Sequence, residues 1–150
     1  MINAHLPIGT VTFVFTDIEG STRLLQALGA RYGELLDEHR RMIRAAAAAH
    51  GGVDFGSEGD ALFLVFQSAA AAVATAVEAQ QALAAYPWPA DGTIRVRMGV
   101  HTGSVVLGVI GGDLRTDYTA AGQTTGVAAR LVSLARAGEI VVSDYTRALA

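Results

Sequence analysis

TVTFVFTDIEGSTRLL, residues 10–25, passes from a β-branched and aromatic run to a carboxylate, then a glycine, two hydroxyls and leucines at helical spacing. Thr10 to Phe15 reads as a buried strand, because such side chains fit a pleated surface covered on both faces. Asp17 is expected just past the strand's end, and Ser21 or Thr22 is expected to cap a helix that carries Leu24, Leu25 and Leu28. A turn of this kind can hold a metal and a phosphate together. Asp17 offers an anionic oxygen to a hard cation, while the N–H groups near Gly20 and Ser21 face an anion at the helix N-terminus.

Outward from this turn, a second helix is expected from Arg31 through Leu35, Leu36 and Ile43 to about Ala49, stopped by His50-Gly51-Gly52. Val53–Ser57 and Ala61–Phe66 read as a hairpin around Glu58-Gly59-Asp60. Ser68–Tyr86 is an alanine-rich helix ended by Pro87 and Pro89. The alternation Ile94, Val96, Met98, Val100 marks a strand that continues past Gly103 toward Val109, and a short strand is expected around Asp117–Thr119. Gly122 leads into a helix containing Val127, Leu131 and Leu134, followed by a strand at Glu139–Val142 and a helical segment at Ser143–Ala150. This order predicts one α/β domain of the α+β kind, a sandwich of helices against a mostly antiparallel sheet.

Composition narrows the chemistry. The chain has 150 residues, 51% hydrophobic and 17% charged, which suits one domain and excludes a wholly disordered chain. Cysteine is absent, so disulfides, thiol nucleophiles and thiolate-held zinc are excluded. Every basic residue is arginine, and the only asparagine is Asn3. A net charge of -3 argues against a nucleic-acid partner. No signal-peptide pattern opens the chain, and the apolar stretch Ala69–Val77 is too short to span a bilayer. A soluble, cytoplasmic domain without membrane contact is expected.

Taken singly, the remaining candidates are bland: Asp60 as a turn former, His101 as a structural histidine with no catalytic role, Arg130 as a surface arginine on a helix face shared with Gly126. Asp17 and Asp60 mean more together. If the hairpin lies beside the first strand, the two carboxylates can share divalent ions and clamp a polyphosphate for in-line displacement.

In order, FTDIEGST (15–22), GSEGDALFLVF (56–66), RVRMGVHTG (95–103) and DYTAAGQTTGVAARL (117–131) resemble the class III nucleotidyl cyclase catalytic domain, with its ferredoxin-like sandwich, over about Thr10–Ser143. The resemblance implies a 1–9 extension followed by a cyclase domain at 10–150 that lacks its C-terminal strands. It also implies a head-to-tail homodimer with sites at the subunit interface, taking ATP, with GTP as the second candidate, to a 3′,5′-cyclic monophosphate and pyrophosphate with Mg²⁺ or Mn²⁺. Asp17, Asp60 and the Ile18 carbonyl match the metal positions; Glu19, Gly20, Ser21 and Thr22 match the phosphate turn; Arg130 matches the arginine that stabilises the transition state. Gly56 and Thr119 fall in the base pocket, Gly56 where adenylyl cyclases carry a lysine. Gly126 stands where the family has its ribose-orienting asparagine, and the strand bearing the phosphate lysine is not in this chain. The expected activity is therefore low, and the alternative is a degenerate cyclase-homology module for dimerisation or regulation.

Overall fold

Strand β1 (Gly9–Ile18) is the centre of the molecule, and its side chains alternate between two cores. Val14 and Ile18 enter one core, and Val11, Phe13 and Phe15 enter the other. The computed structural model describes residues 6–105 and 123–150. After β1 come helices α1 (Ser21–Leu28) and α2 (Arg31–Ala49), the hairpin β2 (Val53–Glu58) and β3 (Ala61–Phe66), and helix α3 (Ala69–Ala85). Then follow β4 (Val96–Val105), α4 (Gln123–Leu134), β5 (Ile140–Val142) and α5 (Asp144–Leu149).

The sheet runs β2-β3-β1-β4-β5. All pairings are antiparallel except β4 with β5, so the mostly antiparallel sandwich expected from the sequence is the fold observed. Helices α2 and α3 cover the Val14 face, where Ile43, Ala72, Ala76 and Ala79 are fully buried. The alanines let α3 lie close on the sheet. Ser68 caps α3 through its hydroxyl, which accepts from the Ala71 N–H at 3.1 Å. On the opposite face α4 packs through Ala128 and Val132 beside an aromatic group of Phe13, Phe15, Phe55 and Phe63. Among the described residues no helix is long and apolar enough to cross a membrane.

Three expectations are corrected. β1 runs through Asp17 to Ile18, because β4 pairs with it to the end (Asp17↔Arg97, Ile18↔Val96) and keeps the chain extended. Neither Ser21 nor Thr22 caps α1; Gly20 takes the N-cap position in the left-handed conformation (φ 67°), which glycine adopts without a Cβ penalty. β4 begins at Val96, although Ile94 before it is buried. α4 contains Val127, Leu131 and Leu134 as expected, and it buries Thr125, Ala128 and Val132 while Leu134 is 70% exposed. The expected strand at 117–119, the extension of β4 toward Val109 and Gly122 lie outside the described residues.

Gly99 shows why α4 sits where it does. A Cβ there would lie 2.7 Å from the Val132 nitrogen and 3.0 Å from the Ala128 carbonyl oxygen, both backbone atoms that cannot swing away. Gly99→Ala is therefore expected to lower stability by about 1–3 kcal/mol, the usual cost of overpacking, measured by denaturant unfolding. An unchanged unfolding midpoint would show that α4 is not seated on Gly99.

Candidate active site

Residues two apart on a strand share a face, so Asp17 continues the row of Phe13 and Phe15 to the rim of the sheet. Arg97 stands directly opposite on β4. Its Nε donates to Asp17 Oδ1 and its Nη2 to Asp17 Oδ2, both at 2.7 Å. The hydrogen bonds to Asp17, joined by the negative charges of Asp17, Glu19 and Asp60, hold the Arg97 pKa above its ordinary value.

Asp60 reaches the same rim by a different route. β3 runs antiparallel to β1 with Thr16 opposite Leu62, which brings the β2–β3 turn alongside the end of β1. There Asp60 Oδ2 accepts from the Ile18 N–H at 3.3 Å. Gly59 makes the tight turn with φ 59°, and its carbonyl accepts from Arg40 Nη2 on α2, which tethers the turn. Next to it, burial and then the Asp60 charge push the Tyr32 phenol upward, so it stays protonated near neutrality. Burial also pushes the neighbouring His39 imidazole down, and its Nδ1–H donates to the Leu36 carbonyl at 2.6 Å in the neutral form.

The phosphate side of the turn lies further along the chain than the sequence suggests. Leu24 N–H bonds the Gly20 carbonyl at 3.1 Å, so the N–H groups of Ser21, Thr22 and Arg23 in the first turn of α1 have no intrahelical acceptor. The Glu19 N–H is already spent on the Arg95 carbonyl at 2.8 Å, which leaves the groups from Gly20 to Arg23 to meet an anion. A groove of about 350 Å³ runs along Ser21, Thr22, Tyr32, Gly59 and Asp60. A separate cavity of about 330 Å³ beside Leu83, Trp88 and Ile94 is far less suited to chemistry; its Gln80 already donates to the Val96 and Glu139 carbonyls.

The donor set fits a hard divalent cation. Two carboxylates and the Ile18 carbonyl are oxygen ligands, and Mg²⁺ characteristically takes one or two carboxylates and completes its shell with water and substrate phosphates. Among the described residues no group of three or more His, Cys, Asp or Glu side chains is placed to hold a metal ion by itself.

The other expected positions make no hydrogen bond or ion pair with these carboxylates among the described residues. Arg130 is exposed on α4, and the partners of the two carboxylates among the described residues are Arg97 and the Ile18 N–H. Gly126 shares its face, since a Cβ there would come 3.7 Å from Arg130 Nη1. Gly56 sits half-buried at an irregularity of β2, its N–H donating to Asp54 Oδ1 at 3.0 Å. Thr119 lies outside the described residues. Arg97, Arg40 and Tyr32 are neighbours of the site that the sequence did not single out, because only cross-strand register and helix docking bring them there. An arginine two residues before the glycine of a β4-type alternation was the one available signal.

Residues 4–150 match the family model described as the adenylate and guanylate cyclase catalytic domain. An uncharacterized protein of Mycobacterium tuberculosis is 33% identical over 142 residues, covering 93% of this chain and 45% of that protein. A receptor-type adenylate cyclase of Trypanosoma congolense is 27% identical over 175 residues, covering 91% of this chain and 23% of its own length. The chain thus spans less than half of either relative. Among solved structures, the adenylyl cyclase CyaB of P. aeruginosa superimposes with a TM-score of 0.79 at 27% identity, covering 95% of this chain and 81% of that one. The guanylate cyclase domain of RhGC from Catenaria anguillulae, in complex with GTP, shares the fold with a TM-score of 0.81 at 24% identity, covering 95% and 82%.

Proposed function

The chain belongs to the adenylate and guanylate cyclase catalytic domain family, and from that membership we propose that it is a slow purine nucleotide cyclase that turns ATP into 3′,5′-cyclic AMP and pyrophosphate. The observation that carries this reading is the meeting of Asp17 and Asp60 at one strand end, beside the free N–H groups of α1. Asp17, Asp60 and the Ile18 carbonyl would hold Mg²⁺ or Mn²⁺. When bound, such ions neutralise phosphate charge and favour loss of a proton from the attacking hydroxyl.

The chain's own residues do the rest. N–H groups from Gly20 to Arg23 orient the polyphosphate at the positive end of α1. The ribose 3′-oxygen forms its bond to the α-phosphorus as the bond to pyrophosphate breaks, and the hydroxyl proton passes to water. Arg130 meets the charge that develops on the phosphoryl oxygens. Its exposure on α4, with no bond to the carboxylates of the same chain among the described residues, supports a head-to-tail homodimer in which one subunit holds metal and phosphates while the other presents Arg130. Gly126 removes the ribose-orienting group, and losing one preorganised donor costs about 2.7–4 kcal/mol, so turnover is slow rather than absent. Cyclic nucleotide formed from ATP and GTP under Mn²⁺, on the full-length polypeptide, is the test. No product from either nucleotide, in a chain that dimerises, would make it a regulatory module.

Base selection should be weak. Gly56 offers no side chain and Thr119 a single hydroxyl, and without a charged donor a pocket loses most of its power to separate bases. ATP and GTP are expected to bind within about tenfold of one another, or about 1.4 kcal/mol, in competition titrations. A hundredfold preference for either would refute this.

A further inference from the structure

Asp17 and Asp60 face the same site in different states. Asp60 accepts one backbone N–H at 3.3 Å, whereas both oxygens of Asp17 are taken by the planar fork of Arg97 at 2.7 Å. We propose that Arg97 is a resident counter-ion of the metal site, which a divalent cation must displace from Asp17 in order to bind. The inference rests on the metal reading above and adds a residue of the same chain that sets the affinity of the site.

The pair is built in rather than incidental. Cross-strand register puts the two residues directly opposite one another, and a bidentate guanidinium–carboxylate contact is the strongest geometry this pair can form. Asp17 and Arg97 side chains are 26% and 27% exposed, so water screens the pair only in part, and a cation has a path to it. Arg97 also feels the negative charges of Glu19 and Asp60, which favour its staying at this rim. With Arg97 in place, the two carboxylates present one net negative charge to an incoming ion; with it displaced, they present two. Arginine does not lose its proton in this pH range, so the competition is an exchange of one cation for another.

Two measurements on the full chain test this, with the bare ions as probes and no nucleotide present: Mn²⁺ for calorimetry and Mg²⁺ for resonance. By calorimetry, Arg97→Gln is expected to bind Mn²⁺ about tenfold more tightly than the unaltered chain, the size of effect one adjacent opposite charge has on a carboxylate. In an Asp17→Asn background the Arg97→Gln gain should vanish. In the unaltered chain, the Arg97 Nε–H resonance should be protected from water exchange without metal and lose that protection as Mg²⁺ saturates the site. That second readout stands even if Arg97→Gln fails to fold. Equal or weaker Mn²⁺ binding by folded Arg97→Gln, or an Nε–H that stays protected at saturating Mg²⁺, would overturn the counter-ion role while leaving the metal site intact. Absence of any Asp17-dependent Mn²⁺ binding would overturn both.

Discussion

Asp60→Ala is expected to bind the Mn²⁺ complex of ATP at least about 100-fold more weakly than the unaltered chain, and Asp17→Ala to do the same. Outer-shell partners of a metal cost 10–100-fold when removed, so a direct ligand belongs at or beyond the upper end of that range. Neither substitution should be lost to unfolding. Asp60→Ala gives up one long hydrogen bond from the Ile18 N–H, worth about 1 kcal/mol. Asp17→Ala leaves Arg97 without its carboxylate, but that guanidinium is partly exposed and water can solvate it. Calorimetry on variants whose unfolding curves match the parent decides the point. Undiminished affinity in both would remove the two carboxylates from the nucleotide site and with them the basis of the cyclase reading.

Gly126→Asn is expected to raise turnover by about 10²-fold, the return of one transition-state contact. Among the described residues, a Cβ at Gly126 meets only Arg130 Nη1, at an ordinary 3.7 Å. The asparagine amide would stand on the same face as Arg130, where both can act on one transition state. Replacing a helical glycine also stabilises α4 by up to about 1 kcal/mol, so rate must be measured alongside stability. Arg130→Ala in the Gly126→Asn background should cancel the gain. If Gly126→Asn folds, dimerises and binds the metal nucleotide yet forms no cyclic product, the site is impaired elsewhere and a regulatory role replaces the catalytic one.

Much of this was legible in residue order because its physical cause is local. A β-branched run makes β1 wherever it packs, the glycine at 59 makes the β2–β3 turn, and Ser68 caps α3 through its own neighbour Ala71. The place of Asp60 beside the end of β1 followed from one topological assumption, that the hairpin lies beside β1, and four ordered motifs were enough to reach the family. The tertiary structure decided what depends on a partner distant in sequence. Asp17 lies inside β1 only because Arg97 on β4 pairs with it, and that same register fills its carboxylate with a guanidinium. Gly99 has no room for a Cβ only because the backbone of α4 lies against it, and the Glu19 N–H is engaged only because the Arg95 carbonyl accepts it. Short-range patterning carries the torsional and hydrophobic preferences of each segment, whereas the charge state and free donors of a site are set by contacts across the sheet, which no single segment encodes.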